Sequence, residues 1–166
     1  MSNSIVLENQ LHGNPDTEWD LSGPGSGNIE GFAVDISVNR GQTVKFKINT
    51  NSNNYRIDIY RLGYYAGLGA RKVATLQKNT ASNQPAPVAD SSIGLVDAGN
   101  WSVSASWAVP VAAVSGVYIA HLVRQDGVSG ENHIPFIVRD DGIQHDRGVF
   151  DVATHGTRGV LKDHER

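Results

Sequence analysis

Asp16, Glu18 and Asp20 place three carboxylates two residues apart, in a segment flanked by Gly13, Pro15 and Gly23. Alternating oxygen ligands in a loop suit a hard cation such as Ca2+. In extended backbone, residues two apart share one face, so the three oxygens would converge. The run lacks the sixth-position glycine and the distal glutamate of an EF-hand. Its plainer reading is a solvated acidic loop anchored to the rest of the domain by Trp19. Asp140 and Asp141, after the last expected strand, form a second candidate cation position, although paired aspartates are common in turns.

Arg61, Tyr64, Tyr65 and Arg71 surround a glycine-rich stretch containing Gly63, Gly67 and Gly69. Aromatic faces beside guanidinium groups suit a sugar ring or a carboxylated ligand, through stacking and bidentate hydrogen bonds. The competing reading has the tyrosines packed across a sheet edge while the glycines turn the corner. Among the histidines, His121 lies mid-strand on the face of Ile119 and Val123 and reads first as a structural residue. His133 precedes Ile134-Pro135-Phe136, and His12 lies close enough in sequence to the acidic segment to serve it as a base. These three are the candidate catalytic histidines. His145, His155 and His164, with Asp146 or Asp163, match no zinc spacing.

Several chemistries are excluded. The 166 residues contain no cysteine, so there are no disulfides, thiolate zinc sites or cysteine nucleophiles. There is no Gly-x-Ser-x-Gly elbow. Gly63, Gly67 and Gly69 lack the strand–helix context of a nucleotide loop. Fourteen Lys and Arg against 17 Asp and Glu leave a net charge of −3, which argues against a nucleic-acid surface dominated by positive charge. No apolar run approaches the ~18 residues of a membrane-spanning helix. The opening MSNSIVLENQ has neither the basic start nor the apolar segment of a signal peptide.

The elements that would position these residues are strands. Tyr55, Ile57, Ile59 and Leu62 alternate with Arg56, Asp58 and Arg61, a period of two. Similar alternation marks 31–38, 43–48, 71–76, 100–107, 116–124 and 133–138, with a short opening strand expected at 5–7. Gly, Asn, Asp and Pro turns separate them, and 39–42 reads as a tight turn at Gly41. About eight short strands at this spacing predict an all-β, immunoglobulin-like antiparallel β-sandwich. Residues 77–90 read as an exposed polar loop. The sandwich is expected over residues 5–141, and 142–166 as a poorly packed tail.

The stretch YRIDIYRLGYYAGLGAR at 55–71 is a recognisable motif. With ENQLHGNPDTEWDLSGPGSGNIEGFAVDISVNRGQTVKFKI before it and NWSVSASWAVP, GVYIAHLVR and HIPFIVRDD after it, the chain resembles a known module. This is the immunoglobulin-like N-terminal region of bacterial proteins similar to the large (beta) subunit of N,N-dimethylformamidase. The resemblance covers about residues 5 to 141. It implies a secreted or cell-surface setting, and it places the amide-hydrolysing iron centre in a larger domain that follows the module. Residues 142–166 do not match that continuation.

Two functions follow. The first is a non-catalytic binding or accessory module of an amide-hydrolase-like protein, whose ligand is a carbohydrate, another small molecule or a neighbouring hydrolase domain. The second is a small Ca2+-dependent hydrolase. The resemblance points to amides, and lactones share the tetrahedral intermediate, so acyl-homoserine lactones, which carry both groups, become candidate substrates.

Overall fold

The computed structural model describes residues 3–142. Over the described residues the chain is all-β apart from two short helices, α1 (Ser4–Asn9) and α2 (Asp16–Trp19), and one 3-10 turn at Tyr65–Gly67. Its strands are β1 (Ile29–Ala33), β2 (Ser37–Asn39), β3 (Thr43–Thr50), β4 (Tyr55–Leu62), β5 (Ala70–Lys78), β6 (Val88–Asp90), β7 (Leu95–Asp97), β8 (Ala105–Ala108), β9 (Gly116–Arg124) and β10 (Glu131–Arg139). One sheet has the order β1-β3-β8 and the other β2-β10-β9-β4-β5, with β6 and β7 forming a separate hairpin. No helix among the described residues is long and apolar enough to cross a membrane.

The expected alternation sets the core. Val44, Phe46 and Ile48 of β3 pack with Tyr55, Ile57 and Ile59 of β4, and with Tyr118, Ala120 and Leu122 of β9. Ile134, Phe136 and Val138 of β10 complete the layer. Each set lies at every second position, so one face of each strand leaves water. Trp107, from β8, stands edge-on to Phe136 at 6.2 Å and tilted against Tyr118 at 6.0 Å. Pro135 sits where β10 has no neighbour on its other side, because β2 pairs only with residues 137–139. Its missing N–H therefore costs no ladder bond.

Four expectations are corrected. Residues 5–7 are helical, because Asn3 caps the turn by accepting from the Ile5 N–H and Glu8 anchors it from below. The segment 31–38 is not one strand: β1 belongs to the three-stranded sheet and β2 to the five-stranded one. The chain changes sheet at 34–36, where the Val34 N–H still donates to Lys45 and the Ile36 carbonyl already accepts from Ile137. Of 100–107, only the last three residues are strand. Trp101 instead packs on Phe32 at 5.9 Å and donates its indole N–H to the Pro85 carbonyl. The loop at 77–90 is bounded by paired backbone, with β5 running to Lys78 and Val88–Asp90 pairing with Leu95–Asp97. The tail reading for 143–166, with its histidines, lies outside the described residues.

Candidate functional site

The outer face of the five-stranded sheet carries a charged cluster built on β4 and β5. Arg56, Asp58 and Tyr60 point away from the core by the period of two. A register shift between Ile59 and Tyr60, where β5 carries one extra residue, turns both Lys72 and Thr75 toward this face. Asp58 is 1% exposed. It accepts from Arg56 Nε at 2.8 Å, Lys72 Nζ at 3.3 Å and Thr75 Oγ1 at 2.5 Å. Burial alone would raise its pKa. The hydrogen bonds from Thr75 and Arg56 and the nearby Lys72 and Arg56 charges outweigh that, holding it below the ordinary carboxylate range. Lys72 also lies over the Tyr60 ring, 5.3 Å from its centroid.

His121, on β9, is the cross-strand partner of Asp58 on β4 and of His133 on β10. It is 3% exposed and donates Nε2–H to Glu131 at 3.2 Å, while its buried Nδ1 has no partner among the described residues. The His133 ring meets it edge-on at 5.0 Å. His133 donates Nε2–H to the Trp19 carbonyl at 2.6 Å, and burial pushes its pKa down against that bond. Two of the three candidate histidines are thus brought together. His12 is exposed and lies apart on the chain leading to α2. A cavity of about 500 Å³ opens over Arg56, Asp58, Lys72, His121, Glu131 and Glu18.

The acidic segment is a helical turn rather than extended chain. Pro15 precedes it and the Asp20 N–H closes on the Asp16 carbonyl. On a helical turn residues four apart share a face and residues two apart do not, so Glu18 turns away from Asp16 and Asp20. Asp16 and Asp20 accept from the N–H groups of Thr17 and Leu21, and Glu18 accepts from the Asn14 amide. Among the described residues, no three His, Cys, Asp or Glu side chains gather as a metal cluster. Trp19 packs over Tyr60, Ala70 and Ile119 and donates its indole N–H to Asn14. Gly69, at φ +82°, lies beneath that ring, where a Cβ would come within 2.8 Å of it. At the other end of the sheet, Asp140 pairs with Arg40 at 2.9 Å and Asp141 with Arg139 at 3.1 Å.

The Arg61, Tyr65 and Arg71 side chains converge where the β4–β5 connection meets α1. Arg61, 3% exposed, donates to the Tyr65 hydroxyl at 3.0 Å and to the Ser115 carbonyl at 3.0 Å. The Tyr65 hydroxyl in turn donates to Glu8 Oε1 at 2.9 Å, which Arg71 holds from its other side at 2.6 Å. Tyr65 and Ala66 adopt left-handed backbone, φ 40° and 57°, a strained placement that sets the phenol inside the network. Tyr64 stays outside it, 70% exposed. Glu8 is not singled out in the sequence, because the strand expected at 5–7 leaves it as a polar residue just beyond. Asp58 was missed because alternation assigns it to solvent. The Asn3 cap was a usable signal for the first, and nothing local marks the second.

Compared with known protein families, residues 56–157 match a family model described as N,N-dimethylformamidase beta subunit-like, C-terminal. The match takes in β4 through β10 and runs past Asp141. The description names a C-terminal part of that subunit, whereas the resemblance seen in the sequence is to an N-terminal module. No curated protein matches the chain.

Proposed function

The chain belongs to the N,N-dimethylformamidase beta subunit-like family, and from that premise we propose that it is a non-catalytic accessory domain that docks on a hydrolase domain. The observation that carries this reading is an apolar strip on the outer face of the five-stranded sheet, beside the charged cluster. Ile137 and Val117 are cross-strand partners, as are Pro135 and Ile119. Val117, Pro135 and Ile137 are all exposed. Contiguous exposed apolar surface rimmed by charge is the ordinary make-up of a protein interface. The charges at its rim are committed to one another through Asp58, which favours fixed recognition over proton transfer.

The test mixes the purified chain with the catalytic part of a family subunit from which the matching region has been deleted. A complex is expected by analytical ultracentrifugation, weakened about tenfold or more by Val117→Asp with Ile137→Asp. Both positions are solvent-facing, so the double variant should melt like the wild type. No complex, or one indifferent to these charges, overturns the docking surface.

One observation favours the second reading, a Ca2+-dependent amide or lactone hydrolase. Asp16 and Asp20 line the same surface depression of about 380 Å³, with Ser22 beside them. The accessory reading expects no turnover of amides, esters or acyl-homoserine lactones, with or without Ca2+. EDTA-sensitive turnover that disappears in Asp16→Asn with Asp20→Asn would replace it with the hydrolase. If Ca2+ binds here, a hundredfold excess over Kd should stabilise the fold by about 2.7 kcal/mol, a gain that the same double variant abolishes.

A further inference from the structure

A second cavity, of about 220 Å³, lies between the two sheets at the end of the sandwich where Glu8 and Arg71 sit. Trp107 comes from one sheet, Tyr118 and Val73 from the other, and Pro110 and Ala113 from the β8–β9 connection. Aromatic and aliphatic walls with a few convergent polar groups are the usual make-up of a small-molecule site.

The polar end has an unbalanced charge. Arg71 directly, and Arg61 through the Tyr65 hydroxyl, share a single carboxylate, Glu8, leaving one positive charge in excess in this network among the described residues. Arg71 uses Nε and Nη2 on Glu8 and makes no hydrogen bond through Nη1 among the described residues. Arg61 Nε is buried with no hydrogen-bond partner among the described residues. Buried charge is costly unless paired. An anion reaching Arg71 Nη1 would supply the missing charge, and the apolar walls would take an apolar body attached to it.

We propose that this cavity binds a small carboxylate with a flat or short apolar body, its carboxylate on Arg71 and its body between Trp107 and Tyr118. The site lies away from the apolar strip of the outer sheet face, so the proposal stands or falls independently of the accessory reading. Cationic ligands meet the Arg71 guanidinium at the polar end, where Glu8 is already held by Arg71 and Tyr65, and are rejected. A neutral amide of the same shape keeps the apolar contacts but loses the charge-assisted bond, which is worth about tenfold or more in affinity.

The experiment titrates benzoate, benzamide and benzylamine into the 15N-labelled full chain and follows the indole N–H signal of Trp107, assigned with Trp107→Phe. Benzoate should shift it saturably with a millimolar Kd, the range expected of so small a ligand. Benzamide should bind about tenfold more weakly or worse, and benzylamine should leave the signal in place. Ala113→Leu, which fills the cavity from its rim, should abolish the benzoate shift while the protein still melts cooperatively. Arg71→Lys, which keeps the charge but loses the fork, should weaken benzoate alone. No saturable benzoate shift in the wild type overturns the site. Equal binding of benzamide, or full benzoate binding by a folded Ala113→Leu protein, overturns the assigned ligand and cavity.

Discussion

Ile59→Ala is expected to cost about 2–5 kcal/mol of folding stability and Trp107→Ala about 3–5 kcal/mol, read as a fall in the urea midpoint with little change in slope. Both side chains belong to the core cluster between the sheets. Ile59 is fully enclosed on β4, which pairs with β9 on one side and β5 on the other. Its removal leaves a void that strands paired on both sides cannot close. Trp107 packs on Tyr118 and Phe136 and also walls the end cavity. Its indole carries more contact area, but the neighbouring space gives the surrounding side chains room to relax, which moves the cost toward the lower end. Ile59→Val, which keeps the branch, should cost only about 0.5–1.5 kcal/mol. Near-wild-type midpoints in both alanine variants would mean that the assigned strand register is wrong.

The second large effect concerns Asp58. Asp58→Ala is expected to destabilise the domain by about 2–3 kcal/mol at neutral pH. That lies below the ~3–5 kcal/mol of a fully buried broken pair, because Arg56 and Lys72 are each about a third exposed and recover some hydration. Asp58 also gives stability a pH signature. Its folded pKa lies below the unfolded value of 3.8, so its contribution is complete above that value and is lost as pH falls through the folded pKa. His133 acts in a separate window. Its depressed folded pKa means that the unfolded chain takes up the proton first, so stability declines as pH falls below 6.5. Wild-type stability should therefore fall in two stages on acidification. His133→Gln should remove the first stage, and Asp58→Asn should flatten the second while lowering the neutral plateau. Chemical denaturation between pH 7 and pH 3 reads both. A neutral plateau unchanged in Asp58→Asn would show that the cluster contributes nothing to folding.

Alternation was enough to identify β3, β4, β9 and β10 and the residues they turn inward, because a period of two is a local property of extended chain. The same locality explains the turn at Gly41, where left-handed backbone is needed and only one residue supplies it cheaply. Arg61, Tyr65 and Arg71 could be grouped from their spacing around a glycine-rich corner. Glu8, which completes their network, comes from a helix more than fifty residues earlier. No pattern within β4 announces that Asp58 is buried. Lys72 and Thr75 reach it only because β5 carries one extra residue opposite Ile59 and Tyr60, while Glu18 and Thr17 arrive over it on α2. Tertiary contacts also decided that Asp16, Glu18 and Asp20 lie on a helical turn, since Trp19 must reach Tyr60 and Ala70 while its carbonyl meets His133. Three carboxylates two apart in sequence carry no information about backbone twist. Which side chains share a strand face follows from the chain itself, whereas which charges meet across strands depends on packing brought from far along it.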